Sequence, residues 1–259
     1  GDVFTGRGYE QPGGFIDTHG VEALFTPTLG IVGEAADLSV ANLEVSYTDR
    51  GEPHPTKSVV FRSRPENIVG IGYAGIDLVT LGNNHIIDYG EIGMLDTMEG
   101  LDQLGIPYCG AGSTEYFALL PAYHGAKGLR LAFLGLCNRT GRAWNYQPFL
   151  DAGYDKPGFA YFLPDNLAKA ITTARELADV VIVQTHSGDE YETAPPGDKG
   201  LAAPPDVEAA SRSADGLNFK FRNEPTPGER ELRRLALDHG ADDPHPLAQL
   251  EPAHVAGDE

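Results

Sequence analysis

The segment "VTLGNNHIIDYG", Val79 to Gly90, sets Asn83, Asn84 and His85 directly after an apolar run and follows them with Asp88. Amide oxygens and imidazole nitrogens bind cations, and an imidazole also moves protons near neutral pH. The pattern recurs along the chain. "SVANLE" ends in Asn42 and Glu44, "VIVQTH" ends in His186, and "DDPHP" brings Asp243 and His245 near the C-terminus. Gly1-Asp2 fits the tail of a first strand. Taken singly, a strand-end histidine is usually a hydrogen-bonded surface residue, and paired asparagines satisfy turns. Repetition at several strand ends is what points to one shared metal centre. Oxygen and imidazole donors without thiolates suit one or two divalent ions of Mn, Fe, Zn, Mg or Ca, not copper(I) or an iron-sulfur cluster.

Such a centre needs strands that end together. "ADLSVANLE" (Ala36 to Glu44), "GIDLVTLGN" (Gly75 to Asn83), "LRLAFLGL" (Leu129 to Leu136) and "DVVIVQTH" (Asp179 to His186) are short apolar runs of strand type. Between them "PENIVGIGYAG", "GMLDTMEGLDQLG" and "LPDNLAKAITTARELAD" read as helices. In the second of these, Leu95, Met98, Leu101 and Leu104 recur at about one helical turn, with Gly105 as the C-terminal cap. Strands alternating with helices give an α/β fold, in which ligands bind beyond the carboxyl ends of the strands. The strands ending at Glu44, Asn83 and His186 are therefore expected side by side, parallel, with their ends on one rim. The chain is read as one domain over residues 1–259, with a Gly, Pro and Ala-rich excursion at about 195–226 and a last helix in "PGERELRRLALDHGA".

Composition narrows the partners. With 259 residues and 41% hydrophobic content the chain can bury a sizeable core. A formal net charge of −19 argues against a nucleic-acid surface, where affinity comes from cations that displace phosphate counterions. No basic-then-apolar leader and no membrane-length apolar run is visible, so a cytoplasmic protein is expected; the opening Gly1-Asp2 nonetheless reads as the middle of a longer chain, from which a leader could have been removed. Cys109 and Cys137 are too few for a disulfide scaffold and read as buried free thiols. His19, His54 and His124 read as loop residues and Trp144 as a loop anchor.

The segments "GDVFTGRG", "ADLSVANLE", "VTLGNNHIIDYGEIGMLDTMEGLDQLGIPYCGAG" and "VIVQTHSGDEY" resemble successive motifs of the CapA-like proteins, the capsule polyglutamate-synthesis family. The resemblance implies the calcineurin-like metallophosphatase fold, a four-layer α/β/β/α sandwich with a two-metal centre, here incomplete at both ends. It implies metal ligation by Asp2, Glu44, Asn84, His186 and His245, and catalysis by His85 and His245. Arg7, Asn42, Glu190 and Tyr191 match motif positions that line the cleft and would contact substrate. The family's closing His-Pro-His is here Asp243-Pro244-His245, with no apolar strand before it.

Metal-site chemistry could take several forms. Phosphoester hydrolysis is the ordinary outcome of the superfamily. Against it, Asp2-Val3-Phe4 stands where phosphoesterases carry Asp-x-His, and Asn42-Leu43-Glu44 where they carry Gly-Asp. A capsule role implies an anchored extracellular protein handling a polyanion, which the acidic charge would repel. The favoured expectation is metal-assisted Cα epimerisation of a ribosomal precursor peptide. Phosphoester hydrolysis, capsule polyglutamate synthesis and a non-catalytic, metal-stabilised peptide-binding module are the alternatives.

Overall fold

The computed structural model describes residues 2–139 and 150–187. Expectations for Trp144, Glu190, Tyr191, Asp243, His245, the excursion at 195–226 and the last helix lie outside the described residues. The chain begins with β1 (Asp2–Val3), α1 (Phe15–His19), α2 (Val21–Phe25) and α3 (Leu29–Val32). Next come β2 (Val40–Leu43), β3 (Ser46–Tyr47), β4 (Arg62–Ser63), α4 (Val69–Tyr73), β5 (Leu78–Thr80), α5 (Gly90–Leu104) and β6 (Tyr108–Cys109). They are followed by β7 (Ala111–Gly112), α6 (Glu115–Ala118), β8 (Ala122–Ala126) and β9 (Leu129–Cys137). The described elements end with β10 (Gly158–Phe159), α7 (Pro164–Arg175) and β11 (Val180–His186).

The mixed α/β class expected from the sequence is observed. One sheet has the order β1-β2-β5-β6 with every pairing parallel, so each connection crosses over outside the sheet. A second has the order β11-β9-β8, in which β11 runs parallel to β9 and β8 antiparallel to it. The β8–β9 hairpin turns at Lys127 and Gly128, both at positive φ (50° and 80°), the backbone a two-residue hairpin loop requires. The strand ending in His186 thus belongs to a different sheet from those ending near Glu44 and Asn83, contrary to the single-rim expectation.

Burial explains the helices. In α5 the buried residues are Gly93, Met94, Thr97, Met98 and Leu101, three and four apart along one face. Met98 and Leu101 of the expected stripe are buried, with Met94 in place of Leu95, which leaves Leu95 45% and Leu104 36% exposed. Gly105 closes the helix at φ 68° with its N–H on the Asp102 and Leu101 carbonyls. Pro164 starts α7, where its fixed φ and missing N–H do no harm. His19 and His124 lie in α1 and β8, not in loops.

Leu43, Val79, Leu81, Ile86, Met94 and Leu101 belong to one core under the first sheet. Leu134, Leu136, Leu167, Ile171 and Val181 make another, between the second sheet and α7. A small third group, Leu78, Cys109, Ala122 and Phe133, joins residues of the two sheets. There the backbones come unusually close. A Cβ on Gly82 would stand 2.5 Å from the Gly135 carbonyl carbon, and one on Gly110 would stand 2.6 Å from the Gly82 nitrogen. Gly82→Ala should therefore force the sheets apart and cost about 1–3 kcal/mol, the usual penalty for overpacking. Urea unfolding should show a lower midpoint at an unchanged slope; an unchanged midpoint would contradict this packing.

Candidate metal centre

Parallel pairing lines up the first ligands. Asp2 sits opposite Asn42, and Asn42 opposite Thr80, so β1, β2 and β5 end on a common rim. Glu44 follows directly after β2, and Asn83, Asn84 and His85 follow β5. From the second sheet, β11 ends at His186. Ligand atoms of Asp2, Glu44 and His186 all lie within 4.8 Å of one another. His186 Nε2 is 3.3 Å from Glu44 Oε1 and 3.1 Å from Asn84 Oδ1, and its Nδ1 is 3.9 Å from Asp2 Oδ1. Two sheets thus deliver one cluster, and four of the five expected ligands meet in it. His245 lies outside the described residues.

Two amides, half-buried Asn42 and buried Asn83, hold the cluster in place. Asn42 Nδ2 donates to Asp2 Oδ1 at 2.8 Å, while Asn42 Oδ1 accepts from Asn83 Nδ2 at 3.0 Å. Asn42, expected to face substrate, thus uses both ends of its amide inside the cluster. Fully buried Asn83 also donates to the Leu43 carbonyl at 2.8 Å, and its Oδ1 accepts from the His85 and Ile86 N–H groups at 3.0 Å each. It ties the turn after β5 to the end of β2, and so fixes Asn84 and His85.

His85 stands beside the ligands. Its Nε2 is 3.9 Å from Glu44 Oε1, and its Nδ1 is 2.7 Å from Asp88 Oδ2. The carboxylate can only accept, so Nδ1 carries a proton, and Nε2 is the ring nitrogen that faces the cluster. The Phe61 ring stacks on the imidazole with centroids 3.8 Å apart, and the Arg7 guanidinium lies over the same Phe61 ring, 5.2 Å from its centroid. Arg7 itself is exposed at φ 58°. Lys57 ion-pairs with Asp88 and donates to the Asn84 carbonyl at 2.5 Å. Burial pulls the Lys57 ammonium below its ordinary range, and Asp88 opposes that pull.

Lys57, Phe61 and the role of Asp88 were not assigned from sequence. Asp88 three residues after His85 was a local signal for an imidazole partner. Lys57 and Phe61 lie in a loop remote in sequence and gave none. Cys109 and Cys137 are buried free thiols, as expected, each pushed up to about 12 by burial.

Two carboxylates this close resist sharing negative charge. Burial and the Glu44 charge raise the Asp2 carboxyl above its ordinary range. Burial would raise Glu44 as well, but hydrogen bonding and charge from His186, with charge from His85, outweigh it and hold Glu44 at about 2. A divalent cation is the group that relieves this crowding, and the donors present, two carboxylates, an amide oxygen and one imidazole, fit it. Glu44, at about 2 against an ordinary 4.5, contributes stability that is present above pH 4.5 and lost as pH falls towards 2. Asp2 has the opposite sign: its contribution is present below its ordinary 3.8 and lost as pH rises through its raised value. In chelator-treated protein, Glu44→Gln should flatten the stability loss between pH 4.5 and 2, read by thermal unfolding across that range. Equal acid sensitivity of the two proteins would contradict the assignment.

Fold and site together define a mixed α/β domain with a cluster of carboxylate, amide and imidazole donors, of a kind that fits a cation, at the meeting of two sheets. The model of the bacterial capsule synthesis protein PGA_cap family matches residues 1–203. The chain belongs to that family. It is similar to the capsule biosynthesis protein CapA of Bacillus anthracis, 30% identical over 210 residues, covering 78% of this chain and 49% of that one. It is also similar to the PGA biosynthesis protein CapA of Bacillus subtilis (strain 168), 24% identical over 258 residues, covering 97% of this chain and 57% of that one. The chain thus spans about half the length of the curated relatives it matches. Among solved structures, the NAD nucleotidase of Haemophilus influenzae is 20% identical and covers 49% of this chain and 22% of that one. Its TM-score of 0.33 is too low to support any conclusion. Among the described residues no helix is long and apolar enough to cross a membrane.

Proposed function

We propose that this chain is the metal-centre portion of a capsule polyglutamate-synthesis protein and acts on a glutamate-rich peptide. The observation that carries the reading is the convergence of Asp2, Glu44 and His186 within 4.8 Å, with His85 Nε2 turned to the same carboxylate. Family membership supplies the substrate class. A divalent ion held by Asp2, Glu44, Asn84 and His186 supplies positive charge for a peptide carboxylate or amide oxygen.

The chain's own residues do the rest. Asn42 and Asn83 hold Asp2 and the Asn84-His85 pair in register. His85, with its Nδ1 proton on Asp88, presents Nε2 as the proton-transfer atom. Exposed Arg7, beside the Phe61 ring, offers a cation to peptide carboxylates. Against a net charge of −19, attraction for a polyanion would come from a bound ion and from Arg7. His245, Glu190 and Tyr191 complete the cleft in this reading, His245 as a further ligand and proton-transfer group.

This places the capsule reading ahead of Cα epimerisation. Epimerisation needs bases on both faces of one carbon. At the cluster, among the described residues, His85 is the imidazole left over once His186 is assigned as a ligand.

Protein purified without chelator should carry stoichiometric divalent metal by elemental analysis, and Glu44→Gln and His186→Ala should lose it. Polyglutamate should be retained by the metal-loaded chain and released on chelation. His85→Ala should keep metal and polyglutamate but slow any turnover by about 10²–10⁴-fold, the usual contribution of a positioned acid or base. Polyglutamate binding that ignores chelation would sink the proposal. Phosphate release from a phosphoester without any effect on polyglutamate would favour hydrolysis, and deuterium entering a peptide Cα position would favour epimerisation.

A further inference from the structure

Lys57 lies in the loop between β3 and β4, its side chain 9% exposed. A buried ammonium is costly unless it is paired and hydrogen-bonded, and here the partners are specific. Lys57 Nζ pairs with Asp88 Oδ1 and donates to the Asn84 carbonyl at 2.5 Å; His85 Nδ1, whose own proton goes to Asp88, lies 3.2 Å away. Asp88, with a fully buried side chain, takes the His85 Nδ1 contact on its other oxygen, which also accepts the Phe61 N–H. Phe61, in the same loop, covers the face of the His85 ring at an interplanar angle of 11°. A lysine needed only to neutralise Asp88 would have no use for the Asn84 carbonyl. Instead one side chain grips both members of the Asn-His pair, the first through its backbone and the second through Asp88.

We propose that Lys57 is a positioning residue that locks the Asn84-His85 pair, aiming Asn84 Oδ1 at the metal ligands and His85 Nε2 at Glu44, with Phe61 closing the same clamp. The inference rests on the metal-centre reading above and adds a residue to it. Asn84 Oδ1 is 3.1 Å from His186 Nε2, so rotation of the Asn84 peptide would withdraw it from the cluster. The His85 ring would lose its edge partner and its stacking geometry together.

The test uses Mn(II) alone as probe and the full chain, with two readouts. In calorimetric titration Lys57→Met should bind Mn(II) about tenfold more weakly than wild type, the lower end of what partners behind a ligand contribute. In NMR spectra of the metal-free chain, the His85 ring protons, identified by their loss in His85→Ala, should lose the upfield displacement caused by the Phe61 face. Arg50→Ala, which removes the surface pair with Asp96, should change neither readout, separating positioning from general destabilisation. If Lys57→Met does not fold, Lys57→Met with Asp88→Asn removes the unpaired buried carboxylate, and the same two changes are expected. A folded variant with wild-type Mn(II) affinity and unmoved His85 signals overturns the proposal. Wild type that binds no Mn(II) counts against the metal-centre reading instead, and the NMR comparison then decides the Lys57 role alone.

Discussion

The backbone contact between Gly82 and Gly135 governs the rest of the structure. Two sheets normally pack about 10 Å apart because side chains fill the space between them. At this point there are none to fill it, and the strand ends meet backbone to backbone. His186, carried by the second sheet, can therefore reach Glu44 and Asn84, carried by the first. A side chain of any size at Gly82 would widen the gap that imidazole has to span.

Around that contact the polar groups form a graded support. Asn83 is wholly buried and satisfies backbone groups from two segments, so it behaves as a structural bolt. Asn42 is the next layer and touches Asp2 directly. Asp2 and Glu44 then face each other at close range, one carboxyl pushed up and the other held down, the behaviour of a coupled pair. That opposition is built within the first sheet, by the parallel pairing of β1 and β2, and a cation bound between the two carboxylates would relieve it.

Much of this was legible in the chain. Polar residues at the ends of apolar runs marked Glu44, Asn84 and His186, because a strand that stops at a sheet rim presents its last side chains to a cleft, whereas Asp2, with no run before it, rested on the family resemblance. The period of α5 and its glycine cap were legible for similar reasons, and Met98 and Leu101 are buried accordingly, while Leu95 and Leu104 are apolar yet exposed. Sheet membership of β11 was not legible: apolar runs state that a strand is buried and leave its neighbours open. Lys57 and Phe61 were invisible because their role depends on a loop folding back across 28 residues to His85, a placement set by tertiary packing and not by any local pattern. The contacts of Asn42 were hidden for a related reason, since only the register with Asp2 and the fold around Asn83 show what its amide bonds to.

Cys137 lies directly opposite His186 in the β9–β11 register. A thiolate in that position would draw soft ions such as copper(I) and would respond to oxidants. Enclosed in the core, with its thiol held at about 12, it stays protonated at neutral pH and offers neither reaction. The donor cluster therefore stands beside sulfur without acquiring its chemistry, and a cation held there would meet oxygen and imidazole donors.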